Sequence, residues 1–247
     1  MQKPNRKLLI GSRLRRLLHP LGLDIIQFNI QHPDFILKRE LARQKITTTL
    51  DVGANRGQFA RRMRRYGFQG FIHSFEPLPG ALAELKGHAA RDPRWQVHAF
   101  ALGSEEGKVT FYVGENDQTS SLLLPNQRNL DATETARTVQ KIDVPVRRLK
   151  TVAKELRLDP KECFLKVDVQ GAEAAVIKGA GDFLGQLPLL QIETSLDPLY
   201  EGETSFWPIV EYVRAAGFSV MSLMPGFQDP RTGVLLQADV IFSRLSK

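Results

Sequence analysis

An acid at the end of an apolar run, followed at once by a glycine turn, is where residue types in this chain first suggest chemistry. The stretch is TTTLDVGANRGQF, residues 47–59. It reads as a strand ending near Asp51 and Val52, a turn at Gly53, and a helix opening near Gly57. Gly53 can take turn conformations closed to other residues, and Gly57 lets a helix start pack tightly. The free N–H groups of that helix favour an anionic group. A strand, turn and helix in this order suit an adenosine-containing ligand.

Spacing narrows the ligand. A nicotinamide fingerprint shows three glycines as GxGxxG, whereas this chain has Asp51-x-Gly53-x-x-x-Gly57. An acid at the strand exit sits badly against a pyrophosphate but suits a neighbouring positive charge, such as the amino group and sulfonium of S-adenosylmethionine. Taken alone, Asp51 has the plainer reading of an acid that caps its turn. That reading weakens at HSFEPLP, where a second strand ends at Glu76, the place from which a carboxylate grips both ribose hydroxyls. A third strand exit, HAFALGSEEG, brings backbone groups of Ala101 and Leu102 to an expected adenine position.

The next strong segment is ECFLKVDVQGAEAAVIKGA, an apolar strand ending in Lys166 and Asp168, followed by Gly171 and a helix containing Glu173. Asp168 should project toward the point where donor and acceptor meet, binding the donor's amino group, orienting an acceptor hydroxyl or taking its proton. An acid meeting a helix dipole is the alternative. Lys166 and Glu193, the latter ending the strand LLQIET, are candidates for acceptor binding. His98 is a weaker candidate base, because it falls within the third strand. Scattered acids without ligand spacing support no metal site.

These residues must be carried by elements that alternate. From Ile46 onward, short apolar runs near 46–52, 70–75, 95–100, 163–168, 188–193, 218–223 and 236–243 alternate with helical patterns near 57–66, 79–90, 150–157, 172–184 and 205–216. This is the rhythm of βαβ units and predicts an α/β, Rossmann-like fold. Residues 109–148 break it: KVTFYV and KIDVPVRRL are strand-like, with a polar loop between them. Such an insertion overhangs the sheet, and Asn116 to Arg128 is assigned to an acceptor wall or lid.

Composition bounds the rest. At 247 residues, 42% hydrophobic and 25% charged, the chain supports one substantial domain, residues 43–247, behind a basic N-terminal helical appendage, residues 1–42. The appendage sets Lys7, Arg13, Arg15 and Arg16 among leucines up to His19-Pro20. It reads either as a peripheral arm for anionic membrane surfaces or as a helix packed on the sheet with solvated arginines. No apolar stretch is long enough to span a bilayer. Cys163, the one cysteine, makes no internal disulfide, and a reducing cytoplasmic setting fits it. The net charge of +7 and Arg61, Arg62, Arg64 and Arg65 raise a nucleic-acid acceptor as a rival, disfavoured because no aromatic residues interleave the arginines. A subunit that binds the nucleoside without catalysis is a further rival, against which Asp51, Glu76 and Asp168 together argue.

The segments DVGANRG at 51–57, FEP at 75–77, KVDVQGAE at 166–173 and QIE at 191–193 together resemble the FkbM family of S-adenosylmethionine-dependent methyltransferases. The resemblance runs from about Leu50 to Arg244 and includes LYEG, AAGF and QADVIFSR. It implies a class I methyltransferase fold, a seven-stranded sheet with an antiparallel last strand. It also implies O-methylation of a hydroxyl on a sugar, glycolipid, glycan or natural product. Cofactor roles then carry over to Asp51, Gly53, Asn55, Gly57 and Glu76. One departure stands out: where many members have KIDVEG, this chain has Gln170, an amide that serves neither as base nor as anionic metal ligand but keeps hydrogen-bonding capacity.

Overall fold

The structure is a computed structural model and describes residues 18–21 and 32–244. The expected basic helix before His19-Pro20 lies outside the described residues. Two fully buried strands form the centre: β1 (Thr48–Val52) and β7 (Cys163–Val167). Their runs lack polar alternation because both faces are covered, as parallel strands require. Around them lie β2 (Phe71–Phe75), β3 (Trp95–His98), β8 (Leu189–Ser195), β9 (Ser219–Pro225) and β10 (Gln237–Ser243). The sheet order is β3-β2-β1-β7-β8-β10-β9, with β10 antiparallel to both neighbours. This is the seven-stranded, mostly parallel sheet with an antiparallel last strand that the resemblance implies.

The order reverses between β1 and β7, so the crevice above their carboxyl ends is the topological switch point where ligands bind in open α/β sheets. Register matters here. Ser74 pairs with Asp51, Asp51 with Lys166, and Lys166 with Gln191, which lines four polar residues across four adjacent strands.

Helices cover both faces. On one lie α1 (Pro33–Arg43), α2 (Gln58–Arg65) and α3 (Pro79–Ala89); Leu37, Phe59, Met63 and Leu85 pack with Phe164, Leu189 and Ile241. The boundary expected between residues 42 and 43 falls inside α1, whose Leu37 and Leu41 belong to that core. Pro33 and the His32 ring, which accepts from the Asp34 amide at 3.2 Å, begin the helix. Three further helices, α5 (Leu149–Glu155), α6 (Glu173–Ala180) and α7 (Phe206–Ala215), pack against Leu165, Val167, Leu190 and Ile192 on the other face. The helix expected over 172–184 ends at Ala180, because Gly181 turns the backbone to a φ of 54° and a 3-10 segment follows.

Residues 101–147 build a second sheet. The strand expected over 95–100 stops at His98, and β4 (Ala101–Leu102) leaves to pair with β6 (Thr138–Arg147), itself antiparallel to β5 (Gly107–Gly114). The intervening residues 115–137 carry α4 (Gln127–Ala132) and fold back toward the main sheet, with Ser121 Oγ donating to the Gln170 carbonyl at 2.6 Å.

Candidate active site

A cavity of about 450 Å³ opens above the switch point. Gly53, Asn55, Glu76, Ala101, Leu102, Lys166, Asp168 and Glu193 line it; Asp51 and Gly57 do not. Eight of the ten residues expected at the site are thus brought together.

The glycine turn explains the shape of the floor. Gly53 has a φ of 74°, and a Cβ there would lie 1.8 Å from the Asp168 carbonyl oxygen, so the β1 and β7 exits approach closely only because the position is glycine. Gly57 works from behind the cavity. Its φ is 84°, and a Cβ would meet Leu85 and Trp95 at 2.9 Å, so it seats α2 against α3 and β3.

Asp51 requires a correction. Expected to face the donor's amino group, it is completely buried below the floor, with Oδ2 accepting from Ser74 Oγ at 3.2 Å and Oδ1 3.4 Å from Lys166 Nζ. Burial, only partly opposed by Lys166 and Ser74, holds its carboxyl above the ordinary range. Lys166, expected as an acceptor contact, lines the cavity and is also tied into its wall. Its side chain is 7% exposed, and its ammonium donates to Gly53 O at 3.2 Å and pairs with Asp168 Oδ2 at 3.2 Å and Asp51 Oδ1 at 3.4 Å. Burial pulls its pKa down, but Asp168 and Asp51 outweigh this and hold the cation firmly charged.

Glu76 ends β2, buried but facing the cavity. Its Oε2 accepts from the Asn55 amide at 2.7 Å and its Oε1 from the Leu78 amide at 2.8 Å. Each oxygen keeps a free lone pair for a ligand hydroxyl. Burial pushes the acid up to about 7 against the pull of the two amides. Ala101 and Leu102 sit beside Phe75, Phe111 and Leu122 as an apolar wall.

The acid pair lies opposite. Asp168, a third exposed, and Glu193 are bridged by the Gln170 amide, which reaches Asp168 Oδ1 at 2.9 Å and Glu193 Oε2 at 2.6 Å. Burial opposes charge on Asp168, yet Lys166, Gln170 and Glu193 hold it below the ordinary carboxylate range. Burial and the adjacent Asp168 charge raise the Glu193 carboxyl well above the ordinary carboxylate range. Glu173 takes a structural place: Oε1 accepts from the Val169 and Gly171 amides at 3.0 and 3.2 Å, and burial pushes the acid up to about 8. His98 lies away from the cavity, within 3.1 Å of His73 and stacked on Phe75.

Residues from the inserted segment, Asp117, Gln118, Ser120 and Leu122, also line the cavity. Arg56 ties them down, meeting Asp117 at 2.7 Å and Glu84 at 3.0 Å. Several contributors escaped the sequence reading: Tyr200, Gln191, Asp239 and Phe111. Only the stretches LYEG, QIE and QADVIFSR hinted at the first three. Among the described residues, no group of three or more histidines, cysteines or acids stands where it could hold a metal ion.

A sulfonium nucleoside fits this lining. The apolar wall takes an aromatic base, the free lone pairs of Glu76 take a diol, and the Gly53 turn opposite Asp168 lets an amino-acid end approach backbone.

Comparison with known proteins agrees. The chain is 27% identical over 168 residues to 2-O-methyltransferase NoeI of Sinorhizobium fredii, covering 66% of this chain and 69% of that protein. It is 32% identical over 155 residues to Methyltransferase sdnD of Sordaria araneosa, covering 54% and 60%. Among solved structures, fibrillarin of Aeropyrum pernix with natively bound S-adenosyl-L-methionine matches at a TM-score of 0.44 and 14% identity, covering 79% of this chain and 66% of that one. An rRNA methylase from Streptococcus thermophilus matches at 0.43 and 12%, covering 88% and 99%. Residues 51–220 match the family model described as the methyltransferase FkbM domain, and with the switch-point cavity built from those residues the chain belongs to the FkbM family of S-adenosylmethionine-dependent methyltransferases.

Proposed function

We propose that the chain transfers the methyl group to a hydroxyl oxygen of a sugar, glycolipid, glycan or natural product. The observation that carries this reading is the acid pair at the β7 and β8 exits, Asp168 and Glu193, joined through the Gln170 amide on the cavity wall. One acid accepts a hydroxyl proton while the other donates to a neighbouring oxygen, a pairing suited to a polyhydroxylated acceptor. The 2-O-methyltransferase activity named for one relative is consistent with it.

When bound, the donor supplies a methyl group on a sulfonium whose departure leaves a neutral thioether. The protein's work is positioning: Glu76 holds the ribose hydroxyls, Ala101 and Leu102 flank the base, and the backbone at Gly53 and Asn55 receives the amino-acid end. Asp168, on the cavity wall, would orient the acceptor hydroxyl toward the donor's methyl group. Asp168 would then take the proton that the acceptor hydroxyl gives up on methylation. The inserted residues 116–128 cover the cavity and keep water from the reacting oxygen.

The test is transfer from a methyl-radiolabelled donor into fractionated glycan, lipid and RNA extracts. Label in glycan or glycolipid as an alkali-stable ether is the expected result. Label confined to RNA, or none despite saturable uptake of S-adenosylhomocysteine, overturns the reading.

A further inference from the structure

The Gln170 side chain is tied at both ends of its amide. Its Nε2 spends both N–H donors on carboxylates, 2.9 Å to Asp168 and 2.6 Å to Glu193, while its Oε1 accepts from Tyr200 Oη at 3.1 Å. Its carbonyl accepts from Ser121, and its backbone adopts a φ of 55°, in the left-handed region that a glutamine rarely occupies. A ring carbon of buried Tyr200 would lie 2.8 Å from a Cβ at Gly171, so the turn and the tyrosine fit only in this arrangement.

We propose that Gln170 is a positioning residue, whose amide, aligned by Tyr200, holds Asp168 and Glu193 together with Asp168 turned to the acceptor. The inference rests on the methyltransferase reading with Asp168 as proton acceptor. Two carboxyl groups this close repel unless a proton or a donor lies between them. Gln170 donates to both without adding charge, and Lys166 from β7 then favours charge on Asp168, the nearer acid. The other ionisable groups around the pair are Asp51 on β1, Asp239 on β10, Glu173 on α6, and Glu203 and Tyr200 beyond β8.

The test is a carbon NMR titration of the full-length protein carrying carboxyl-labelled Asp and Glu, with Asp168→Asn and Glu193→Gln identifying the two resonances. Wild type should show Asp168 titrating below its ordinary range and Glu193 above it. Gln170→Glu keeps the shape but places a third carboxyl against the pair, so the Asp168 midpoint should rise by about one pH unit or more. Tyr200→Phe frees the amide to turn and should raise it by less. An Asp168 midpoint unmoved in Gln170→Glu overturns the proposal; if that variant does not fold, an unmoved midpoint in Tyr200→Phe does so. The titration needs no acceptor, so failure to bind S-adenosylhomocysteine would count against the methyltransferase reading alone.

Discussion

Lys166 Nζ lies 3.2 Å from Asp168 Oδ2 and reaches back to Asp51, tying the carboxylate at the cavity to one beneath its floor. The ammonium is the counter-charge shared by Asp51, fully buried, and Asp168, a third exposed at the cavity. Replacing it with methionine strands both acids. Lys166→Met should therefore cost about 3–5 kcal/mol in chemical denaturation. A loss near zero would mean that the acids take up protons without penalty.

Asp168 tests the chemistry separately from the cofactor. Asp168→Asn retains shape and the bridge to Gln170 but cannot take a proton. Turnover should fall about 10²–10⁴-fold while the S-adenosylhomocysteine Kd, read by calorimetry, changes far less. Equal loss in both would make Asp168 a cofactor ligand.

The pH dependence of cofactor uptake follows from Glu76. Burial raises this acid to about 7, so its carboxylate form is present above that value and lost as pH falls through it. A ligand that needs the carboxylate should show a Kd that climbs toward tenfold per pH unit below about 7. Glu76→Gln should bind more weakly and lose that slope. Calorimetry across the neutral range reads both.

Gly53→Ala places a Cβ 1.8 Å from the Asp168 carbonyl and asks alanine to hold a φ of 74°. The left-handed backbone alone costs about 1–3 kcal/mol, and forcing the β1 and β7 exits apart adds to it. Denaturation and S-adenosylhomocysteine titration should both show the loss. Unchanged uptake would mean that the turn does not shape the floor.

Arg56 holds the inserted segment to the glycine turn through pairs that are half exposed. Salt screens such pairs, so Arg56→Ala should weaken S-adenosylhomocysteine binding by less than about fivefold, with the difference shrinking at high salt. Hydrogen exchange around residues 115–121 should rise in the same variant.

The parallel strands were legible because burial on both faces leaves short apolar runs, as in Cys163–Leu165 before Lys166 and Leu189–Leu190 before Gln191. The strand exits were legible too, since a parallel sheet puts its chemistry there, and Glu76, Asp168 and Glu193 arrive as expected. The second sheet was half legible. Its long strands declared themselves, but Ala101 and Leu102 read as the end of a strand they do not belong to, because pairing with Val146 and Arg147 is a contact between distant residues.

Sequence alone determined the element order, the donor-binding turn and the identity of the acids, because periodicity, glycine spacing and residue type are local properties. Only the tertiary structure decided which way those acids face. Asp51 and Asp168 stand near the exits of adjacent strands, two register positions apart, and one is sealed beneath the floor while the other faces the cavity. That difference arises from strand register and from Lys166 between them, and register is a relation between segments more than a hundred residues apart.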